Sequence, residues 1–178
     1  MNIESYKWEK SQAFSMKKLN FGCRMGLKEE FDNIDIQKGK GIAKNFDFNK
    51  FPYPIEDNKY DYVYSNEMLE HLDEPNKVLE ELWRICKPNA IIEIIVPYYN
   101  NKGAYSSVEH KHYFSDVTFK LFVEEGKSKD NKINFEIESL KLVPTIAGKF
   151  FPGFLRNKMS LFIGGLIATI EVRLKVLK

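Results

Sequence analysis

Gly22 and Gly26 bracket the run Gly-Cys-Arg-Met-Gly, and an isolated acid, Asp35, stands 13 residues after the first of them. Two glycines let a ligand approach bare backbone, whose N–H groups can meet a carboxylate. An acid at a strand end can accept two hydroxyls at once. That pairing suits a nucleotide-like ligand, and the same glycines suit a tight turn between strands. Asp47 and Phe48 then set a carboxylate beside a ring, fit for an exocyclic amine and a purine face. Ser65 and Asn66 add two polar groups after another apolar run. The histidines are His71, His110 and His112. In an extended chain His110 and His112 point the same way, beside Glu109. No clear third ligand follows, so no metal is expected, and a substrate-facing role for one of them suits better. His71, in Leu-Glu-His-Leu, reads as a structural hydrogen-bonding residue.

The elements that must position these groups are legible in outline. "KLNFG" reads as a first strand ending at Gly22, "FDNIDI" as a second, and "GIAKNFDF" as a weaker third ending near Asp47. "FPYPIEDN" is a loop by its prolines, and "YDYVYS" is a fourth strand. Asp73 can cap a helix with Pro75 in its first turn. Val78, Leu79, Leu82, Trp83 and Cys86 fall on one face of it, and Lys87-Pro88-Asn89 stops it. "AIIEIIVP" predicts a strand covered on both faces. Residues 98–113, rich in Tyr and Asn, read as a lid over the strand ends. Ser115 can cap a helix through Phe119 and Phe122. "NFEIESLKLVP" and "IEVRLKVLK" alternate and predict an antiparallel pair at one edge.

The result is an α/β fold, an open and mostly parallel sheet with a reversed strand near its end. Only Cys23 to Phe31 separates the first two strands, and Gln37 to Gly41 the next two. Parallel crossovers normally take a dozen or more residues, so crossover helices are reduced and some sheet surface lacks cover.

With 178 residues, 43% hydrophobic and 14% aromatic, the chain can bury one sizeable core. A single domain over 1–178 is expected: 1–16 a covering segment, 17–125 a ligand-binding core, 126–178 a strand pair with an apolar insert. The net charge of +2 argues against nucleic acid as a partner. Cys23 and Cys86 lie in apolar runs and, with no secretory leader, read as reduced residues of a cytoplasmic protein. "MSLFIGGLIATI", residues 159–170, is too short to span a bilayer as a helix, which takes about 20 residues. It could lie on a membrane surface, bury in a homodimer, or cover the protein's own core. Leu161, Phe162, Ile163, Leu166 and Ile167 exceed what a solvated helix needs, so self-association or docking on the bare sheet is expected.

The pieces "LNFGCRMG", "NIDI", the run from "FDFNKFPYP" through "SNEMLEHLDEPNKVLEELWRICKPNAIIEIIVP", and "HKHYFSDVTFKLF" resemble the class I S-adenosylmethionine-dependent methyltransferases. The likeness is to the small type 11-like group and covers roughly residues 18–122. It implies a Rossmann-like fold and S-adenosylmethionine as cofactor. Its cofactor positions fall here on Gly22, Cys23, Arg24, Gly26, Asp35, Ile36, Asp47, Phe48, Ser65 and Asn66. The catalytic expectation rests on His110 and His112, with a small-molecule or glycan- or lipid-linked acceptor. Arg24 departs from the pattern, which has Gly there; its guanidinium could crowd the cofactor or pair with the methionine carboxylate. The alternative is a catalytically silent methyltransferase-like binding or assembly module. A nicotinamide enzyme would want G-x-G-x-x-G and an acid about 20 residues on, which this chain lacks.

Overall fold

Seven strands, in the order β3-β2-β1-β4-β5-β7-β6, form one sheet. They are β1 (Lys18–Phe21), β2 (Phe31–Asp35), β3 (Lys44–Asn45), β4 (Tyr60–Asn66), β5 (Cys86–Pro97), β6 (Asn134–Pro144) and β7 (Ile167–Leu177). The computed structural model describes residues 16–24, 26–128 and 133–178, so the expected covering segment 1–16 lies almost wholly outside the described residues. Strands β1 to β5 run parallel, and β7 runs antiparallel to both β5 and β6. The reversed strand stands where the alternating carboxyl-terminal runs place it.

Period-two alternation splits this sheet into unlike faces. Register aligns Leu19 with Val63, Val63 with Ile92, Ile92 with Leu174, and Ile94 with Val172. All of these are fully buried. Helix α1 (Pro75–Ile85) lays Val78, Leu79, Leu82 and Ile85 into the same core, and α2 (Asp116–Ser128) adds Phe119 and Val123. The Trp83 indole N–H donates to the carbonyls of Asn134 and Leu177, tying α1 to the ends of β6 and β7.

The other face carries Lys18, Asn20, Tyr62, Tyr64, Ile91, Glu93 and Arg173. Tyr62 donates to Glu93 at 2.9 Å, and Lys28 stands 4.0 Å from the Tyr64 ring centroid. Here β5 departs from the expectation of cover on both faces: Ile91, Glu93 and Ile95 stay half-buried. Among the described residues no helix lies between β1 and β4, as the short connections require.

Local details differ too. The helix opens after Glu74 without a side-chain cap, because Asp73 pairs with Lys111 at 2.5 Å instead. Cys86 begins β5 rather than ending the helix, and Tyr60 and Tyr62 pair with Cys86 and Ile91, so residues 87–90 bulge. Asn89 takes a left-handed φ of 64° inside that bulge.

The apolar run 159–170 divides. Leu166 and Ile167 are buried, Ile167 as the first residue of β7. Leu161, Phe162 and Ile163 follow a short helix, α3 (Gly153–Met159), and are exposed, so this part does not dock on the sheet. No helix among the described residues is long and apolar enough to cross a membrane.

Candidate functional site

The β1–β2 connection is built by hydrogen bonds in place of a crossover helix. Gly22 has φ 72°, and its N–H and that of Cys23 both donate to the Ile34 carbonyl. A Cβ on Gly22 would stand 2.5 Å from Cγ of Met68, so the close approach that glycine permits is made by a side chain from beyond β4. Gly26 has ordinary space around it and donates to the Cys23 carbonyl, the turn reading. Two amides hold the loop from below. Asn20 donates to the Gly26 carbonyl and to Asn33, and Asn33 accepts from Lys28 N–H. Sequence reasoning passed over both, although Asn inside short buried strands asks for a partner.

Asp35 ends β2 and is buried. One carboxylate oxygen accepts the Arg24 N–H at 2.5 Å, and the other accepts the Gln37 N–H at 3.0 Å. It is therefore a clasp on the glycine loop as well as a strand-end acid. The Cys23 sulfur lies 3.9 Å from it, and burial, then the Asp35 charge, push that thiol up. Beside Asp35 opens a cleft of about 160 Å³ lined by Arg24, Leu27, Gln37, Lys40 and Ile42. Ile36 is exposed next to Asp35.

The remaining expected contacts are less well gathered. Asp47 accepts from Asn49 N–H and keeps partial exposure. Phe48 is 2% exposed and packs on Phe21, at 4.3 Å between centroids, and on Phe46 and Tyr53. It belongs to the core and presents no face to a purine. Ser65 is fully buried, its hydroxyl without a hydrogen-bond partner among the described residues, while Asn66 is exposed.

Past β4, a single 3₁₀ turn, Leu69–His71, brings up a residue the sequence reading did not name. Glu70 is 1% exposed and neither carboxylate oxygen has a hydrogen-bond partner among the described residues. Its backbone carbonyl accepts the N–H groups of Lys111 and His112, which folds the 98–113 stretch back over the turn. His110 thereby meets His71 edge-on at 4.7 Å between centroids. Burial pushes the Glu70 carboxyl up to about 7; burial, then His110, lower His71. His112 turns away, its Nε2 3.2 Å from the Asp73 carbonyl. The expected pair is thus separated, and His110 joins His71 and Glu70 instead.

Asn100 and Asn101 of the same stretch donate to the Ser160 and Ile167 carbonyls, a structural use. Tyr105 and Tyr113 stack at 4.7 Å and are exposed.

These groups gather beyond the carboxyl ends of β1, β2 and β4, where the strand order reverses. Ligands of open α/β sheets bind at such a point. A model of the methyltransferase domain matches residues 30–94. The S-adenosylmethionine-dependent methyltransferase of Archaeoglobus fulgidus superposes with TM-score 0.64 at 17% identity, over 97% of this chain and 92% of that one. The fold is that of the class I S-adenosylmethionine-dependent methyltransferases.

Other methyltransferase structures agree. One from Mesorhizobium loti gives 0.62 at 12% identity over 90% of each chain. A chain of the complex between the Haloferax volcanii Trm112 methyltransferase activator and a methyltransferase gives 0.60 at 14% identity, over 97% and 89%. No curated protein matches the chain.

Proposed function

We propose that the chain binds S-adenosylmethionine at the ends of β1, β2 and β4 and transfers its methyl group to a small-molecule or sugar- or lipid-linked acceptor. The observation that carries this reading is Asp35 at the edge of the cleft beside the glycine loop. Each of its oxygens accepts one backbone N–H, which leaves lone pairs for two ribose hydroxyls. The residues present fit the cofactor in part. Asp35 would hold the ribose, Ile36 would pack on the base, Asp47 would accept its amine, and the exposed Arg24 would meet the carboxylate. Phe48 and Ser65 are too deeply buried to take part.

The cofactor supplies a methyl carbon made electrophilic by positive sulfur. What remains for the chain is to hold the acceptor in line, exclude water, and receive a proton where the acceptor is a hydroxyl. His110 suits the last role, since its Nδ1 lies 2.8 Å from the Ala104 carbonyl, which leaves Nε2 to accept. Tyr105 and Tyr113 suit the acceptor side. A cytoplasmic homodimer is part of this reading.

Calorimetry with S-adenosylhomocysteine tests it. Asp35→Ala should weaken binding by about 10- to 150-fold, the loss of one hydrogen bond to a charged group at roughly 1.5–3 kcal/mol. Because Asp35 also clasps the loop, the melting curve of the variant is needed as a control. Unchanged affinity in a folded variant would remove the cofactor assignment.

A second reading has its own observation. Met68 fills the approach to Gly22, which favours a silent module that keeps the fold without turnover. Labelled S-adenosylmethionine in a cell extract separates the two. Transfer to any acceptor supports the enzyme, and partner capture without transfer supports the module.

A further inference from the structure

Glu70, His71 and His110 present ligand atoms that all lie within 4.8 Å of one another. From their arrangement we infer that they form a binding site for one divalent transition-metal ion. Four observations support it independently of methyl transfer.

The first is the orphaned carboxylate. An acid 1% exposed with two unpartnered oxygens is costly to bury, and buried charges in proteins are paired or coordinate metals. The second is the tautomer. The His110 Nδ1–H donates to the Ala104 carbonyl at 2.8 Å. That ring is thus fixed by backbone and left with a bare Nε2 facing His71 and Glu70. Metal-bound histidines are oriented in this way, with the second ring nitrogen donating to a carbonyl or carboxylate.

The third is chain geometry. One 3₁₀ turn supplies Glu70 and His71, and the Glu70 carbonyl itself fixes the position of Lys111 and His112, next to His110. The site is therefore assembled by backbone. The fourth is charge. Glu67 and Glu109 add negative charge around the cluster, and Arg24 opposes it from the positive side.

Two imidazoles and one carboxylate favour zinc, iron(II), cobalt or nickel over magnesium or calcium, which prefer oxygen ligands. Ligands about 2 Å from an ion stand roughly 3–4 Å apart. The cluster need close by only about 1 Å, within reach of side-chain rotation. Three protein ligands leave positions open, as in sites where the ion acts on a bound molecule rather than bracing the fold.

The test uses the full chain, stripped with EDTA and titrated with Co²⁺ or Zn²⁺ alone. Calorimetry should give one ion per chain, and Co²⁺ should show the visible absorption of a nitrogen- and oxygen-bound ion. Glu70→Gln, His71→Ala and His110→Ala should each weaken binding at least about 100-fold, as far as the loss of a ligand exceeds the 10- to 100-fold effect of its supporting partners. His112→Ala should leave it unchanged.

Zinc-soaked crystals of the wild-type protein remove any doubt over variant folding. The anomalous peak should lie between the Glu70 carboxylate and the two imidazoles. Absence of stoichiometric binding, binding that survives the three ligand variants, or a peak elsewhere would overturn the inference. With the ion bound, His110 Nε2 is a ligand and no longer a proton acceptor, so an occupied site replaces that role. S-adenosylhomocysteine affinity is measured separately, so this site and the cofactor reading fail independently.

Discussion

Glu81 and Glu70 are two largely buried carboxylates a few turns apart in sequence, and the structure treats them in opposite ways. At the amino-terminal end of the sheet, Glu81 accepts from Arg84 through both oxygens, at 2.9 and 2.8 Å, and from Tyr53 N–H at 2.7 Å. The same guanidinium donates to the carbonyls of Ile55 and Tyr53 and to Asp57. Beyond the carboxyl ends of the strands, Glu70 has no partner at all among the described residues. The carboxylate beside Arg84 is met within the chain, and the one past β4 is left open. An open buried acid is tolerated where something outside the chain is meant to meet it.

The largest effect expected from that contrast is at the satisfied end. Arg84→Met strips a partly buried acid and two carbonyls of their donors at once. It should cost about 3 kcal/mol in urea unfolding at pH 7, near the lower limit for a broken buried pair. Burial alone would raise the Glu81 carboxyl, but Arg84 and the Tyr53 N–H outweigh it and hold it below the ordinary 4.5. This stabilisation is present above pH 4.5 and is lost as pH falls through the lowered value. A loss under about 1 kcal/mol, or one that does not shrink at all as pH falls below 4.5, would show that the network is merely solvated.

Glu70 predicts the opposite sign. Its carboxyl stands at about 7 in the folded chain against an ordinary 4.5, so the unfolded chain ionises first as pH rises. In the metal-free protein stability should therefore decline from pH 4.5 to 7, with the penalty complete above 7. Glu70→Gln should stabilise by about 2 kcal/mol at pH 8 and by little at pH 4. A stable Glu70→Gln that has also lost zinc would separate metal binding from folding. Destabilisation at pH 8 would mean that the acid already has a partner, and the contrast with Glu81 would collapse.

How much of this was legible depended on whether the signal was local. Strand β7, the parallel run and α1 follow from alternation and helical spacing, which burial enforces residue by residue. Asp35 at the end of β2 was legible as a position. Its buried clasp on Arg24 N–H was not, because that bond needs the loop to fold back across the strand end. Asp32 of the same strand accepts from Tyr60 at 3.0 Å, a partner 28 residues away that no local pattern points to. Phe48 reads from the sequence as a purine platform, and its packing on Phe21, Phe46 and Tyr53 puts it in the core instead. The pairing of His110 with His71 rather than His112 was hidden for a similar reason. Alternation assumes an extended chain, whereas the Glu70 carbonyl holds residues 111 and 112 in a folded one.

The connector between β6 and β7 sharpens the comparison from outside the core, with the smallest expected effect on stability. Here the unmet groups are apolar and exposed. Ile146, Phe150, Phe154 and Phe162 are all more than 70% exposed, among Lys149, Arg156 and Lys158. Scattered surface hydrophobics need no explanation, and a group of large ones on one connector is the place to test for a contact surface. Phe162, at 88% exposure, has almost no packing to lose, so Phe162→Glu should change folding stability by under about 0.5 kcal/mol. Its effect should fall on association instead. If the connector joins two copies of the chain, light scattering should show a dimer for the wild type and a monomer for Phe162→Glu. If it rests on a membrane surface, the variant should lose co-sedimentation with anionic vesicles while its mass stays unchanged. A wild-type monomer that ignores vesicles would leave the patch without a partner, and the parallel with Glu70 would then fail on the apolar side alone.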